Sequence, residues 1–281
     1  MANEFTELIY SLENGVAWIK LNRPEVLNAL SQLLHVELHR AVRQAAIDPE
    51  VKVVVITGEG SSFSAGIDVK EQAEKMDSVS QGRKRTAEGL TGSPWDIGMD
   101  LWNMKKPVIA AVNGVAVGGG MSLILACDII LASENARFGE FFVRRGLISS
   151  GYGQWLLPRL IGMHRAKEML MMGEMIDATQ AMQWGLINHV YPVDEFMDRV
   201  RDFAEKLATS PAKAISLIKQ LVNDGMSMSI ESLGRSERFA DEVLMAGFRD
   251  DMKEGLMSFL EKRDPKYSGA SHERKWSNTV E

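Results

Sequence analysis

Three consecutive glycines, Gly118–Gly120, follow an apolar run over 107–112 and precede an apolar segment that extends to Cys127. This order predicts a buried strand, a glycine turn and a helix, and a second buried strand follows over 128–131. A glycine turn that opens a helix leaves backbone N–H groups directed outward, where they can bind an oxyanion or a phosphate. The spacing is neither GxGxxG nor GxxxxGK[ST], which excludes dinucleotide and P-loop sites. Close packing of the helix against the strand is the alternative reason for the glycines.

A second glycine turn follows another buried run. The apolar residues 51–57 predict a strand, and a turn cluster, GEGSSFSAGID, covers 58–68 and includes Ala65-Gly66-Ile67-Asp68. Two N–H donors that converge from separate turns form an oxyanion hole, which stabilises the charge that develops on a carbonyl oxygen. The presence of both turns therefore favours carbonyl chemistry over packing alone.

The composition excludes several classes of function. The 281 residues suffice for one large domain or two smaller ones, and the net charge of −6 comes without a basic stripe that would indicate nucleic acid binding. Cys127 is the only cysteine, so no disulfide forms within the chain, which suits a reducing compartment. The sequence has no signal-peptide pattern and no run long enough to span a membrane, and we expect a cytoplasmic protein. The sequence contains neither an HExxH nor a CxxC motif, so neither motif indicates a metal site.

Strand and helix signals alternate along most of the chain. Strands are predicted over 7–12 and 16–21, and a helix is predicted from Ser31, as its N-cap, to Ile47. The last strand ends near residue 191, and helices follow to the end of the chain; one is predicted to be capped by Ser210, with Pro211 at its first position. The pattern gives a core over 1–192 and a helical region over 193–281.

Six motifs occur in one order along nearly the whole chain: LNRPEVLNALS, FSAGIDVKE, KPVIAAVNGVAVGGG, CDIILAS, ARFGE and FLEKR. Together they resemble the enoyl-CoA hydratase/isomerase (crotonase) superfamily. The resemblance implies an α/β fold, with a spiral of ββα units over 1–192 and a C-terminal helical trimerisation region over 193–281. It also implies an acyl-CoA thioester as substrate, no cofactor beyond that coenzyme A moiety, and a homotrimer or a hexamer built as a dimer of trimers.

The resemblance also assigns site residues. The oxyanion donors would be the N–H groups of Ile67 and Gly119. The backbone that would hold the adenine end of coenzyme A lies around Val26, Leu27, Ala65, Gly66 and Asp68. Two lysines, Lys70 and Lys262, are the implied phosphate partners, the second reaching over from a neighbouring subunit.

The chain departs from the family pattern at the acid and base. The two glutamates of the hydratases fall at Ser122 and Phe142, and the single carboxylate of related isomerases falls at Ser150. Addition of water to an enoyl thioester needs a base for the water and an acid for Cα. The residues at these positions supply neither, so simple hydration is disfavoured.

Several side chains are candidates to replace the missing carboxylates. Glu140 is the nearest in sequence, and a loop salt bridge with Arg144 or Arg145 is its alternative role. The other candidates are polar residues of the predicted pocket: Tyr152, Ser122, Asp96 and Asp100. We expect an enzyme that transforms acyl-CoA thioesters through a stabilised enolate; thioester hydrolysis, C–C bond cleavage and non-catalytic binding of a CoA thioester are the alternatives.

Overall fold

The computed structural model of the chain describes residues 5–80 and 94–268, without the side chains of 75–80 and 94–96. The chain divides into two compact units, Met1–Glu205 and Lys206–Glu281. The first unit extends past the predicted boundary at residue 192 because it includes most of an amphipathic helix, Phe196–Ala208, whose Phe196, Val200 and Ala204 are buried.

Strands and helices alternate through the first unit, which confirms the α/β class. In chain order the strands are β1 (Leu8–Glu13), β2 (Val16–Leu21), β3 (Val53–Gly58), β4 (Ser62–Ser64), β5 (Val108–Val112), β6 (Val115–Val117), β7 (Ile129–Ser133), β8 (Arg137–Gly139), β9 (Met175–Asp177) and β10 (His189–Tyr191). The helices are α1 (Gln32–Ile47), α2 (Val69–Ser80), α3 (Pro94–Asn103), α4 (Gly119–Leu125), α5 (Gly153–Leu160), α6 (Met163–Met172), α7 (Ala178–Trp184) and α8 (Phe196–Ala208).

The larger sheet has the strand order β1-β2-β3-β5-β7-β10. Only the first pair, β1 with β2, is antiparallel, and the other neighbours are parallel. Every residue of β3 and β5 is buried, as expected for central strands covered on both faces. The predicted N-cap of α1 is confirmed, since the Ser31 side chain accepts a hydrogen bond from the Leu34 N–H at 2.9 Å.

Only one strand of the smaller sheet was predicted from the sequence: β8, as a short strand over 136–139. The sheet has the order β4-β6-β8-β9. Its strands have three residues each, too few for hydrophobic alternation to stand out within a glycine-rich segment. The first three run parallel, and β9 pairs antiparallel with β8. Because β4 and β6 are parallel neighbours, their carboxyl ends lie side by side, and both glycine turns begin there.

The second unit contains the helices α9 (Ala212–Gly225), α10 (Ile230–Gly247) and α11 (Arg249–Glu261). The predicted cap of α9 was wrong: Pro211 occupies the N-cap position, and the Ser210 hydroxyl donates back to Lys206 O at 3.4 Å. Few apolar side chains of this unit are buried, whereas several large ones are exposed. The most exposed are Ile230, Phe239, Leu256, Phe259 and Leu260.

Candidate active site

The two glycine turns meet backbone to backbone. Parallel pairing of Ser64 with Ala116 places the end of β4 beside β6. Gly66 has a φ of 86°, and a Cβ on this residue would lie 2.6 Å from Val117 O and 3.0 Å from Gly119 N. Only glycine allows this approach, because any side chain would collide with the other turn.

The N–H groups of Ile67 and Gly119 are both available to a ligand. The bridge between Leu30 and Ile67 uses the N–H groups of Leu30 (to Gly66 O, 2.7 Å) and Asp68 (to Leu30 O, 3.1 Å), so the Ile67 N–H points the opposite way. Gly119 is the first residue of α4, where a helix provides no acceptor for the N–H. Within the described ranges neither N–H has a hydrogen-bond acceptor. A Cβ on Gly119 would lie 3.4 Å from the Ile67 nitrogen, so the two donors are close together.

Both donors line one cleft. The residues that line it are Ala65, Gly66, Ile67, Val69, Gly118, Gly119, Phe141, Phe142, Arg145 and Leu147. Apart from Arg145, the side chains are apolar, and an apolar wall strengthens hydrogen bonds to a developing oxyanion. The cleft therefore has the donors and the environment of an oxyanion hole.

The loop before α1 holds the Ile67 turn in place through Arg23. Its guanidinium lies 3.1 Å from Glu7 Oε1 and 3.0 Å from Asp68 Oδ2, and it donates to Ala29 O at 2.7 Å. Although partial burial acts to raise it, the pKa of Asp68 is lowered by the hydrogen bond from Arg23 and those from the Glu71 and Lys70 N–H groups. The ionised form of Asp68, next to Ile67, is thus stabilised by Arg23.

Asn28 is a positioning residue that the sequence analysis did not identify. Its side chain is fully buried, its φ is 54°, and its Nδ2 donates to Glu59 O at 2.9 Å and Ser62 O at 2.7 Å. The Ser64 hydroxyl donates to Asn28 O at 2.8 Å. These bonds fix β4, and hence the start of the first turn. An asparagine after a proline-containing loop is a weak signal, because such residues usually mark turns without further contacts.

Some of the residues predicted to hold coenzyme A are adjacent in the structure. Leu27 O accepts the Ala65 N–H at 2.8 Å, so the loop of Val26 and Leu27 adjoins the turn that contains Gly66 and Asp68. Val26 and Leu27 are about half exposed and available to a ligand, at 40% and 45%. Lys70 is exposed in the first turn of α2, and Lys262 is exposed at the C-cap of α11 in the second unit.

Glu140 has a fully buried side chain directed toward the start of α5. No described donor is hydrogen-bonded to either carboxylate oxygen, and a Cβ on Gly153 would lie 3.0 Å from Oε1. Ser149 Oγ also adjoins Gly153, but it donates to Ser150 O at 3.4 Å. Burial raises the pKa of Glu140 to about 8, although the nearby Ser149 hydroxyl acts to lower it.

Glu140 does not form the alternative salt bridge. The Arg144 guanidinium lies over the Phe141 ring at 4.8 Å, and Arg145 Nη1 donates weakly to Phe141 O at 3.5 Å. Neither arginine is within salt-bridge distance of a described carboxylate. At neutral pH the buried carboxyl group is therefore mainly protonated.

Two of the positions at which the family resemblance predicts carboxylates differ in their surroundings. Ser122, three residues after Gly119 in α4, is buried, and its hydroxyl donates to Ser150 O. Phe142 lines the cleft, and its Cε2 would lie 4.0 Å from a Cβ on Gly118. Of these two side chains, only the Phe142 ring lines the cleft.

Glu140 and Ser122 are not part of the cleft lining, and the other candidates also lie away from it. Tyr152, with a φ of 73°, packs its ring against Gly98 of α3, where an added Cβ would lie 2.9 Å from Tyr152 Cε2. Asp100 accepts a hydrogen bond from Arg43 Nε at 3.2 Å and lies 3.0 Å from His39 Nδ1, so its carboxyl group already has side-chain partners. The side chain of Asp96 lies outside the described residues.

No group of three His, Cys, Asp or Glu side chains in the described ranges could hold a metal ion. None of the helices in that part of the chain is long and apolar enough to cross a membrane.

The family model for enoyl-CoA hydratase/isomerase matches residues 11–270. The chain belongs to the enoyl-CoA hydratase/isomerase family. The family resemblance and the crotonase fold inferred from the sequence are thereby confirmed, and the chain is of the acyl-CoA enzyme type.

Individual relatives agree on the family but carry different activities in their names. The chain is 34% identical over 273 residues to a 1,2-epoxyphenylacetyl-CoA isomerase of Escherichia coli K12, covering 93% of this chain and 98% of the relative. It is 36% identical over 262 residues to a short-chain-enoyl-CoA hydratase of Clostridium acetobutylicum, covering 92% and 97%. The crystal structure of an enoyl-CoA hydratase from Bacillus anthracis has a TM-score of 0.84 at 33% identity, covering 94% of this chain and 100% of the other.

Proposed function

We propose that the protein transforms an acyl-CoA thioester through an enolate held by the N–H groups of Ile67 and Gly119. The observation that carries this proposal is the convergence of two free backbone donors on one apolar cleft. The thioester carbonyl oxygen would accept both hydrogen bonds. When a proton leaves Cα, the negative charge moves onto that oxygen, where both donors stabilise it more strongly than in the ground state.

The coenzyme A moiety would lie along the loop of Val26 and Leu27 and the turn of Ala65, Gly66 and Asp68. The exposure of Val26 and Leu27 supports recognition of the adenine end. Lys70 is exposed two residues after Asp68, where its ammonium group can bind a phosphate. Lys262 would contribute from a neighbouring subunit.

Glu140 is the residue we propose for proton transfer. A carboxyl group with a pKa of about 8 is protonated at neutral pH and close enough to it to act as either acid or base. The absence of a salt bridge in the described structure supports this role, because a paired carboxylate would remain ionised. Ser149 lies beside the carboxyl group, and Ser122 orders the same loop by its bond to Ser150 O.

This assignment favours proton shuffling, as in an isomerase, over hydration. Hydration needs two acid–base groups beside a water, and Phe142 occupies one of those positions in the cleft lining. The same substitution supports a second candidate, a protein that binds acyl-CoA thioesters without turnover.

Incubation with saturated and enoyl-CoA thioesters in deuterated water tests the proposal. We expect deuterium at Cα, or at Cγ of enoyl substrates, detected by mass spectrometry and NMR. Glu140→Gln should bind the same thioesters and exchange at least about a hundredfold more slowly. Binding of every thioester without exchange, isomerisation or hydrolysis in the wild type would leave only the non-catalytic candidate. Failure to bind any CoA thioester would refute both.

We also propose that the protein assembles as a homotrimer or a hexamer through its second unit. The large exposed apolar side chains of α10 and α11, including Phe239 at 68% and Phe259 at 82% exposure, support a buried interface. Light scattering of the purified protein should give three or six times the chain mass. A monomer at micromolar concentration would refute the assembly.

A further inference from the structure

Arg145 is the only charged side chain among the described residues that line the cleft. It is the last residue of a short 3-10 helix, Phe141–Arg145, and Gly146 ends that helix in the left-handed region with a φ of 67°. The Gly146 N–H donates to Val143 O and the Leu147 N–H to Phe142 O, each at 3.0 Å. These bonds fix the backbone that carries Arg145 at the edge of the cleft.

Comparison with Arg144 shows that Arg145 retains its donors for a ligand. Arg144 stacks on the Phe141 ring, 4.8 Å from its centroid, and is not part of the cleft lining. Arg145 makes only the 3.5 Å hydrogen bond to Phe141 O, and no described carboxylate lies within salt-bridge distance of it. A guanidinium has five N–H donors, so most of those of Arg145 are unused within the described structure.

The surroundings of Arg145 favour an anionic partner. Its neighbours in the cleft are apolar, namely Val69, Phe142 and Leu147. Arg145 is exposed at the edge of this cleft, where its planar guanidinium can donate two parallel hydrogen bonds to a carboxylate.

We propose that Arg145 binds a carboxylate on the acyl group, so that thioesters of dicarboxylic acids are the preferred substrate class. This inference rests on the proposed function, because the Ile67 and Gly119 N–H groups must hold the thioester carbonyl. Arg145 lines the same small cleft as these donors, so its partner lies a few bonds from the carbonyl. The phosphates of coenzyme A are separated from the carbonyl by the whole pantetheine arm, which makes them the less fitting anion.

Binding of two saturated thioesters of equal chain length tests the proposal. Glutaryl-CoA carries the distal carboxylate that pentanoyl-CoA lacks, and isothermal titration measures both affinities. We expect the wild type to bind glutaryl-CoA about tenfold more tightly, and Arg145→Gln to lose that preference. Arg145→Lys should retain part of the preference. Arg144→Gln is the matched control and should retain all of it.

Two outcomes would overturn the inference. Equal affinities of the wild type for the two thioesters would exclude carboxylate recognition, while binding of pentanoyl-CoA would leave the proposed function intact. An equal loss of both affinities in Arg145→Gln would assign the arginine to the thioester oxygen or the coenzyme phosphates. Pentanoyl-pantetheine, which has no coenzyme phosphates, distinguishes these two roles. If Arg145 contacts the phosphates, Arg145→Gln should bind pentanoyl-pantetheine as tightly as the wild type does; if it contacts the thioester oxygen, binding should weaken.

Discussion

The backbone and the side chains around the cleft differ in how well they match what the family resemblance predicts. On the backbone side, two glycine turns present unpaired N–H groups from Ile67 and Gly119 within the described structure. On the side-chain side, Ser122, Phe142 and Ser150 stand where the resemblance to the family predicts carboxylates, and of the three only Phe142 lines the cleft. Strand pairing and glycine determine the positions of the backbone donors, which we call the backbone half of the site. Single side chains determine the acid and base, which we call its side-chain half.

This difference shows why membership of the family does not determine the reaction. The proposed oxyanion hole requires the close approach of Gly66 to Gly119 N, which the paired strands β4 and β6 impose. The proposed stabilisation of a thioester oxyanion therefore rests on the backbone. Family membership does not determine where the proton goes, because substitution of the acid and base leaves the fold unchanged.

Gly119→Pro is the most direct test of the backbone donors. Proline removes one donor, and it is tolerated at the first position of a helix such as α4. We expect kcat/KM, or the rate of Cα exchange, to fall by about 10²–10³-fold, the usual effect of losing one oxyanion donor.

Gly119→Ala is the matched control because it retains the N–H group. Its added Cβ would lie 3.1 Å from Leu30 Cδ1, and the flexible leucine side chain can adjust. Circular dichroism should show both variants folded. A folded proline variant with wild-type activity would mean that Gly119 N–H is not a donor to the substrate.

The side-chain half is tested by the pH dependence of stability in Glu140→Gln. The pKa of Glu140 is raised from 4.5 to about 8, so its contribution is fully present below pH 4.5 and is lost as the pH rises through 8. The free energy of unfolding of the wild type should therefore fall by a few kcal/mol, in order of magnitude, between about pH 5 and 8 relative to the glutamine variant.

Urea denaturation at several pH values measures this difference. Glu174→Gln, at an exposed carboxylate, should follow the wild-type curve. Parallel curves for the wild type and Glu140→Gln would show that Glu140 is ionised in the folded protein, and would remove its proposed role as an acid.

Arg23→Leu tests how much the side chain that holds the Ile67 turn contributes to the stability of the protein. The change leaves Glu7 and Asp68, each with a mostly buried side chain, without their shared cation. We expect a loss of about 1–3 kcal/mol in the free energy of unfolding. Lys20→Met, which breaks an exposed ion pair with Glu59 at 3.7 Å, should cost less than about 1 kcal/mol. Equal losses in the two variants would contradict a special role for Arg23.

Ser122→Ala should have the smallest effect. The Ser122 hydroxyl donates to Ser150 O, so its removal loosens a loop but removes no proposed acid or base. We expect stability to fall by about 1 kcal/mol and Cα exchange to change by less than tenfold. A loss of more than a hundredfold, with substrate binding retained, would instead assign Ser122 to proton transfer.

Much of the larger sheet and its helices was predictable from the sequence. The strand Val16–Leu21 and the helix after Ser31 were predicted at their observed positions, since alternation and an N-cap are local signals. The cap of α9 was missed by one residue because serine followed by proline fits both a cap and the turn before it.

The site was less predictable because it depends on contacts between distant segments. The two turns were identified, but the short strands that pair them, β4 and β6, gave no periodic signal. The burial of Glu140 was also hidden, since a charged residue between Gly139 and Phe141 in a loop fits a surface salt bridge equally well. Only the tertiary structure shows that Arg144 and Arg145 are directed elsewhere.

The central claim is that the Ile67 and Gly119 N–H groups polarise a thioester carbonyl. Isotope-edited infrared difference spectroscopy of acyl-CoA labelled with ¹³C at the carbonyl carbon measures this polarisation directly. We predict that the carbonyl band shifts to lower frequency when the thioester binds the wild type, and that the shift is much smaller in Gly119→Pro. A bound thioester whose carbonyl band stays at its frequency in water would contradict the claim.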